Sequence, residues 1–431
     1  MATLQLVVGE QFDVSIGPVA HGGHCVARAG DDPDGQVVFV RHALPGERVR
    51  AVITELHPSY ARADALEIIR PSPDRVPPPC PHAGPTRCGG CDWQHASGAA
   101  QRALKAQVVW EQFARVARLD VTALLLEVEE LPGGLLGWRT RTVYAVDGAG
   151  RLGFRRHRSH DVEPVDACPL GVVGVGDHPA LRRTWRGYRE VAATQGSDGT
   201  TTLLGHRKPS RHASRRRGTD VIDVLEGATR LHHRVGEHDF AVDAAGFWQV
   251  HPGAAPALVG AIFSGLRPHP GDVVLDLYAG AGLFAVLLGE AVAGAGPVAG
   301  VGRVVAVEGS RQAAADARSN LRSIGGLRAD VWHDQVSAAT IARVQAAGVD
   351  PDLVVLDPPR AGAGPDVIRA ILGTEPRAVA YVSCDPATLA RDVGAAGDAG
   401  WRLAELRAFD AFPMTHHVEC VAILTPTGET T

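Results

Sequence analysis

The chain carries a strand, a glycine turn and a helix in direct succession, and this run constrains its fold more than any other stretch. An apolar segment from Val273 to Leu277 leads into Tyr278-Ala279-Gly280-Ala281-Gly282, and an apolar helical segment follows from Leu283 to Val292. Small residues let the backbone approach a ligand, and the first N–H groups of the helix are free to bind it. A tight turn that binds nothing also needs glycine. The run predicts an open α/β sheet with a ligand site at its edge.

The next predicted strand ends on an acidic residue. Val304 to Val307 is apolar and Glu308 follows it. A carboxylate at this place accepts hydrogen bonds from the two hydroxyls of a ribose, as in dinucleotide-binding sheets. The sheet is therefore predicted to bind a nucleotide-type cofactor, and its identity stays open at this point.

Two later strands end in residues that an oxidoreductase does not need. The strand Leu353 to Leu356 runs into Asp357-Pro358-Pro359-Arg360, and the strand Ala378 to Val382 runs into Ser383-Cys384-Asp385-Pro386. A third strand, predicted over His417 to Leu424, carries Glu419. Ligands of open parallel sheets bind at the carboxyl ends of the strands. We therefore expect Asp357 and Cys384 to face one site.

This ordered set of motifs resembles the RNA uracil-5 methyltransferase family. The resemblance includes Phe247-Trp248-Gln249 and the cysteines from Cys80 to Cys91, and it covers nearly the whole chain. It implies a class I (Rossmann-like) methyltransferase domain that uses S-adenosyl-L-methionine. The expected cofactor-binding residues are Gln249, Tyr278, Gly280, Gly282, Glu308, Asp334 and Asp357. For Asp334 a helix cap is the alternative to an adenine contact. His251 stands where the family has asparagine, so the role of this position is left open.

The family resemblance implies Cys384 as nucleophile and Glu419 as base. Carbon 5 of uracil is a poor nucleophile, and a thiolate that adds to carbon 6 drives electron density onto it. The resulting enolate would attack the sulfonium methyl group, and a carboxylate would then remove the carbon 5 proton. Asp357 would bind the polar edge of a flipped uracil or position the cofactor. A cysteine on a buried strand is otherwise a small core residue.

Residues Val7 to Ile69 alternate apolar and polar positions between glycine-rich turns, which predicts a small β-barrel. The stretch resembles a TRAM domain, an OB-like RNA-binding module, with Gly17 to Gly23 as one of its turns. A barrel that only packs against its neighbour is the alternative. With 431 residues, two or three domains are expected from length, and the motifs indicate three. They are the barrel (1–68), a central mixed α/β iron-sulfur domain (69–97 and 129–245) and the methyltransferase domain (98–128 and 246–431).

Four of the seven cysteines are candidates for a metal centre, namely Cys80, Cys88, Cys91 and Cys168. Four thiolates hold either zinc or a [4Fe-4S] cluster. Three bunched cysteines with a remote fourth favour the cluster, as does the family resemblance. Seven residues separate Cys80 from Cys88, where we expect five, which indicates a local insertion. Methyl transfer needs no electron, so we interpret the cluster as structural, with redox sensing as the alternative.

The net charge of −5 argues against a uniformly basic RNA-binding surface. A local basic run, 206–217, is a candidate RNA contact or a solvated loop. No signal peptide or membrane-spanning run is visible, so a cytoplasmic location is expected. A monomer that binds RNA and no membrane is also expected.

Two other functions fit part of the sequence. An amino methyltransferase acting on adenine or guanine would carry Asn-Pro-Pro-Tyr and no nucleophile, which Asp357 and Cys384 disfavour. An RNA-binding iron-sulfur protein without activity would not need Glu308 or Glu419. Among substrates, barrel and cysteines together resemble the members that act on 23S ribosomal RNA more than the shorter members that act on transfer RNA.

Overall fold

The computed structural model describes residues 6–207, 221–293, 302–322 and 324–428. These ranges contain a five-stranded, a six-stranded and an eight-stranded sheet and a separate two-stranded hairpin. Most of the basic run 206–217 lies outside them. Within the same ranges, no helix has the length and apolar character needed to cross a membrane.

The N-terminal sheet has the strand order β1-β4-β5-β3-β2 and curls around one apolar interior. Side chains of β4 alternate between buried and partly exposed, as expected where one face lines a core. The alternation places Val49, Ala51 and Ile53 inside. The strands are β1 (Gln11–Ser15), β2 (Cys25–Arg28), β3 (Val37–Arg41), β4 (Arg48–Leu56) and β5 (Tyr60–Arg70). The predicted β-barrel is confirmed.

Helix α1 (Gly98–Gln112) joins the barrel to the C-terminal sheet. Ser97 caps it by accepting from the backbone N–H of Ala100 at 3.2 Å. Its two faces enter different cores: Ala100, Leu104 and Val108 pack with the barrel, and Ala106, Val109 and Phe113 pack with the C-terminal sheet. The helix loosens into a π turn over Phe113–Ala117. The helical spacing of Ala106, Val109, Phe113 and Val116 predicts one buried face, and this prediction is wrong for Val116, because the π turn leaves its side chain 45% exposed.

The central region is an antiparallel sheet of order β12-β11-β10-β7-β8-β9, followed by the hairpin β13–β14. The prediction of a mixed α/β domain here is wrong, because its described residues form strands and a short 3₁₀ turn but no α-helix. The sequence of residues 138–146 predicts a strand paired with the strand at Leu152 to Arg155, and this pairing is confirmed at Ala145 and Val146. Short 3₁₀ turns occur at Ala29–Asp31 in the barrel and Pro179–Arg182 here. The strands are β6 (Glu129–Glu130, which belongs to the C-terminal sheet), β7 (Arg141–Val146), β8 (Leu152–Arg155), β9 (Val162–Pro164), β10 (Glu190–Gln195), β11 (Thr201–Arg207), β12 (Val221–Glu226), β13 (Arg230–Val235) and β14 (His238–Asp243).

The C-terminal sheet has the order β17-β16-β15-β18-β19-β21-β20-β6. Strands β15 to β19 are parallel, and β21 is antiparallel to both of its neighbours. Its elements are α2 (Ala254–Leu266), β15 (Val273–Leu277), α3 (Leu283–Ala293), β16 (Arg303–Glu308), α4 (Arg311–Leu321), β17 (Arg328–His333), α5 (Ala338–Ala346), β18 (Leu353–Leu356), α6 (Pro365–Leu372), β19 (Ala378–Ser383), α7 (Pro386–Asp398), β20 (Trp401–Asp410) and β21 (Glu419–Pro426).

Helices cover both faces of this sheet, which explains why its central strands are apolar on both sides. Leu275 faces the layer that contains α1 and α5 to α7, and its neighbour Val274 faces the layer with α2 and α3. The chain order reverses between β15 and β18, and such switch points are where open α/β sheets bind ligands. The predicted α/β fold class is confirmed, and the switch point fixes where the site must lie.

Candidate active site

The glycine turn after β15 adopts a backbone that favours small residues. Tyr278, Gly280 and Gly282 all have positive φ, at 61°, 56° and 89°. A side chain at Gly282 would meet Cα of Ala317 on α4 at 3.3 Å, whereas one at Gly280 would enter open space. Tyr278 holds a conformation that is uncommon outside glycine, and such residues concentrate at ligand sites. Gly282 is thus needed for packing, and Gly280 borders the space at the sheet edge.

Glu308 closes the other side of this turn. Its Oε2 accepts from the backbone N–H of Gly280 at 2.8 Å, and its Oε1 accepts from that of Ser310 at 2.6 Å. Each carboxylate oxygen has a second lone pair free for a ligand hydroxyl. The predicted juxtaposition of the turn and the acidic strand end is therefore present.

Asp334 lies one strand further from the switch point, after β17. Its backbone N–H donates to the carbonyl of Glu308 at 3.0 Å, which places it beside the same edge. Its carboxylate pairs with Arg343. Helix α5 is capped by Ser337, which accepts from Thr340 at 3.2 Å. The helix-cap alternative for Asp334 is therefore wrong, and its contact with adenine stays a prediction.

Asp276 is a site residue to which sequence reasoning gave no role of its own. It is fully buried on β15, and its Oδ2 accepts from the N–H of Ala285 at 2.9 Å. Its Oδ1 is buried and has no hydrogen-bond partner among the described residues. Burial raises the pKa of Asp276 well above its usual value. Its signal in the sequence was a carboxylate inside an otherwise apolar strand, which demands a polar partner.

Gln249 and Asp357 meet at the end of β18. The side-chain amide of Gln249, itself buried, donates from Nε2 to Oδ2 of Asp357 at 3.4 Å. Burial raises the pKa of Asp357 to about 7. Phe247, two residues before Gln249, is 64% exposed. The predicted Phe-Trp-Gln motif thus reaches the Asp-Pro-Pro-Arg loop across 108 residues of sequence.

Cys384 and Glu419 lie at adjoining strand ends. Ser383 on β19 pairs with Cys420 on β21 in the antiparallel ladder, so the next residue of one strand and the preceding residue of the other are neighbours. Burial raises the pKa of Cys384 to about 12, and the charge of Glu419 adds to this effect. Burial, and next the charge of Asp357, raise the pKa of Glu419 well above its usual value. The structure therefore brings together the predicted nucleophile, the predicted base and Asp357.

Arg360 supplies positive charge to this cluster. Its charge lowers the pKa of both Cys384 and Glu419, against the effect of burial. Its Nη2 lies 3.1 Å from Nε2 of His417. Sequence reasoning assigned Arg360 no role beyond its place in the Asp-Pro-Pro-Arg motif, although a cation beside two acidic groups favours their ionised forms.

His251 is buried at the wall of the methyltransferase region. Its ring stacks on Trp138, with centroids 5.7 Å apart, and its Nδ1 accepts from the N–H of Gly253 at 3.0 Å. Burial lowers the pKa of His251 to about 4, so the ring is neutral. This histidine packs as an aromatic residue and supports the backbone that follows the Phe-Trp-Gln motif.

The four candidate metal ligands, Cys80, Cys88, Cys91 and Cys168, line one pocket of the central region. Gln94 donates to Sγ of Cys91 at 3.2 Å, and the N–H of Gly90 lies 3.4 Å from Sγ of Cys88. Among the described residues, no group of three or more Cys, His, Asp or Glu is arranged to hold a single metal ion. The four thiols thus line a common space, but they do not converge on one point in the way that a single bound ion requires.

Comparison with solved structures identifies the class of protein. A tRNA (uracil-54, C5)-methyltransferase from Pyrococcus abyssi, in complex with S-adenosyl-L-homocysteine, superimposes with a TM-score of 0.68. The two chains are 22% identical, and the match covers 96% of this chain and 99% of the other. The fold is that of a methyltransferase.

Sequence relatives identify the family. Proteins named uncharacterized RNA methyltransferase are 46% identical in Streptomyces coelicolor and 36% identical in Corynebacterium efficiens; both matches cover 98% of this chain, and 94% and 96% of the relatives. The family model described as tRNA (Uracil-5-)-methyltransferase matches residues 266–427, and that of the TRAM domain matches residues 5–66. The chain belongs to the RNA uracil-5 methyltransferase family and is an S-adenosylmethionine-dependent RNA methyltransferase. The barrel is its TRAM domain.

Proposed function

We propose that the protein methylates carbon 5 of a uridine in RNA through a covalent adduct with Cys384. The observation that carries this proposal is the meeting of Cys384 and Glu419 at the paired ends of β19 and β21, beside Asp357. An enzyme that methylates an exocyclic amine needs no nucleophile at this position. A thiol and a carboxylate side by side fit addition to carbon 6 followed by removal of the carbon 5 proton.

The thiol of Cys384 holds its proton in the free protein, because its pKa is raised to about 12. That proton must pass to water before the sulfur adds to carbon 6, and the sulfur leaves again as a thiolate when the carbon 5 proton is removed. Arg360 is a positive group that favours the thiolate, and Glu419, Asp357 and Asp385 oppose it. A thiolate is far more nucleophilic than a thiol, so a change that shifts this balance towards the thiolate would activate Cys384.

Glu419 removes the carbon 5 proton, and Cys384 then leaves as the carbon 5–carbon 6 double bond is restored. Its buried carboxylate, with a raised pKa, has the proton affinity that this step favours. Asp357 presents a carboxyl at the same place, where it would bind the polar edge of the uracil or position the cofactor, and the amide of Gln249 donates to it. A uridine inside a helix must be flipped out to reach them.

S-adenosylmethionine, when bound, supplies an activated methyl group. The residues present fit it: Gly280 leaves open space, Glu308 retains acceptor capacity, and Asp276 has a buried oxygen without a partner among the described residues. We propose Gln249, Tyr278, Gly280, Gly282, Glu308, Asp334 and Asp357 as its surroundings, and we add Asp276.

We also propose that Cys80, Cys88, Cys91 and Cys168 hold a [4Fe-4S] cluster. Their position around one pocket supports the proposal. A cluster has a separate iron for each thiolate, so its ligands need not converge on one point as they must for zinc. The cluster would cross-link the segment from Cys80 to Cys91 with the loop at Cys168 and so stabilise the central region. It would take no part in methyl transfer. Anaerobically purified protein is expected to contain four irons and four sulfides per chain.

The RNA substrate is the finer part of the proposal. We propose 23S ribosomal RNA first, from the family resemblance of the barrel and cysteines together. Transfer RNA is the second candidate, because the Pyrococcus abyssi tRNA enzyme covers 96% of this chain, barrel included. Overall architecture therefore does not separate the two substrates. We further propose that the protein is a monomer and acts in the cytoplasm. Sedimentation equilibrium of the purified protein would test whether it is a monomer.

Mass-spectrometric nucleoside analysis tests the function. Unmodified ribosomal and transfer RNA are incubated with S-adenosylmethionine and either the wild-type protein or the Cys384→Ala variant, and Cys25→Ala serves as a control cysteine inside the barrel. The expected result is 5-methyluridine in one RNA with the wild type and the control, and none with Cys384→Ala. A methylated purine, or an active Cys384→Ala variant, would overturn the covalent mechanism.

A further inference from the structure

The glycine turn of the TRAM barrel is held between the central region and the methyltransferase domain. The carbonyl of Gly23 accepts from Nε1 of Trp93 at 3.1 Å. A side chain at Gly23 would come within 2.8 Å of Cβ of His416, so the turn is in close contact with the segment before β21. His416 in turn pairs with Asp92 at 2.7 Å. The turn therefore has a fixed position relative to the strands that carry the candidate catalytic residues.

From this fixed turn, His21 reaches the loop of the nucleophile. Its Nε2 lies 3.3 Å from Oδ2 of Asp385, the residue directly after Cys384. The other oxygen of Asp385 accepts from the N–H groups of Ala387 and Thr388, at 3.0 and 2.9 Å, and so caps α7. One carboxylate thus joins the barrel to the first turn of the helix behind the cysteine.

The loop of Asp385, which His21 contacts, is also hydrogen-bonded to the loop of Arg360 and to Ser383. Oγ1 of Thr388 donates to the carbonyl of Arg360 at 3.1 Å, and Oγ of Ser383 accepts from the N–H of Asp385 at 3.2 Å. The hydrogen bond to Asp385 raises the pKa of His21, and the charge of Glu111 adds to it. In the described part of the chain, His21 is the side chain that contacts Oδ2 of Asp385, and a carboxylate oxygen accepts, so the ring donates.

We propose that His21 is a positioning residue through which the TRAM domain fixes the reactive orientation of Cys384. It acts through Asp385 and not on the uracil. The inference rests on the proposed role of Cys384 as nucleophile. It gives the barrel a part in the chemical step in addition to RNA binding, because a small displacement of a nucleophile slows a reaction steeply. No residue of the methyltransferase domain itself takes this place at Oδ2 of Asp385 in the part of the chain that is described.

The test compares His21→Ala with His21→Gln, which keeps a side-chain donor. His57→Ala is the matched control, since His57 pairs with Glu55 on the same barrel at the same 3.3 Å and with similar exposure, 37% against 40%. Methylation kinetics give kcat and KM for the RNA, and thermal unfolding checks that each variant is folded. An Asp385→Asn variant, alone and with His21→Ala, completes a double-mutant cycle.

We expect His21→Ala to lower kcat roughly 10-fold with KM unchanged. His21→Gln should recover most of the loss, His57→Ala should match the wild type, and His21→Ala should cost little more once Asp385 is Asn. A rise in KM alone would show that His21 contacts RNA and would overturn the inference, as would an unchanged kcat in a folded His21→Ala variant. If the wild-type protein gave no 5-methyluridine, the proposed function would fail, and this inference with it.

Discussion

Asp357, at the end of β18, raises the pKa of Glu419, at the start of β21, through the repulsion between their two carboxylates. Burial of Glu419 is the larger cause, and the charge of Arg360 acts in the opposite direction. The two carboxyl groups therefore titrate as a pair, and the first proton is released more readily than the second.

This relationship predicts a shift in the pH dependence of turnover. Glu419 must be ionised to act as a base, so activity falls as the pH drops through its raised pKa. Asp357→Asn removes one cause of that elevation, so the acidic limb of the single-turnover rate should move to lower pH. The absolute rate will fall, and the position of the limb is the measurement.

Asp366→Asn is the control for this shift. Asp366 pairs with Arg369 at the surface, with its side chain 93% exposed, and should leave the limb in place. A limb that stays fixed or moves to higher pH in Asp357→Asn would contradict the assigned relationship.

Replacement of Glu419 should separate methyl transfer from product release. In Glu419→Gln the thiol of Cys384 can still add to carbon 6, but the carbon 5 proton is not removed, so the protein stays bound to its RNA. We expect turnover to drop by roughly 10²-fold to 10⁴-fold and a protein–RNA band to appear on denaturing gels. The band should vanish when Cys384→Ala is added. A fully active Glu419→Gln would assign the base to another residue.

The proposed cluster predicts a selective effect of Cys168. Cys168→Ser removes the ligand that is remote in sequence, so iron and sulfide should be lost from the purified protein together with its visible absorbance. Cys420→Ser changes a buried core cysteine outside the pocket and should retain the iron. Two results would contradict the proposed ligand set. One is an equal iron content in the two variants, and the other is an absence of iron from the wild-type protein as well as from both variants.

Lys105 and Asp410 form a fully buried ion pair, with Nζ and Oδ1 2.5 Å apart. Lys105→Met leaves the Asp410 carboxylate without its partner, so the variant should lose about 3 to 5 kcal/mol of stability in urea unfolding. Lys105→Met with Asp410→Leu should recover most of the loss, because no buried charge remains.

Arg102 provides a surface pair on the same helix for comparison. It bonds to Glu130 at 2.9 Å, and 53% of the Glu130 side chain is exposed. Arg102→Met should cost less than about 1 kcal/mol. If Arg102→Met and Lys105→Met destabilised the protein equally, burial would not be the cause.

The sequence predicted best where position along a strand decides what a residue faces. Asp357 and Cys384 end parallel strands, and such ends meet at one edge, so their approach followed from the pattern alone. The pairing of Lys105 with Asp410 spans 305 residues and follows no local rule. Likewise, nothing in the sequence near His21 indicates Asp385. The prediction that Val116 is buried is wrong because it assumes a regular α-helix, whereas the chain forms a π turn at this position.

Helix α1 contributes to two cores, and this has a consequence for how the chain acquires its structure during synthesis. The barrel strands that pack with Leu104 are synthesised before α1, whereas the C-terminal strands that pack with Val109 begin at residue 273, more than 160 residues later. The face with Leu104 can therefore be buried against the barrel early, whereas the face with Val109 stays exposed until the C-terminal strands have been synthesised. A nascent chain that stops before residue 273 will expose the apolar face of α1 that carries Val109, and chaperones bind such surfaces. A fragment that begins at residue 266 will lack α1 altogether.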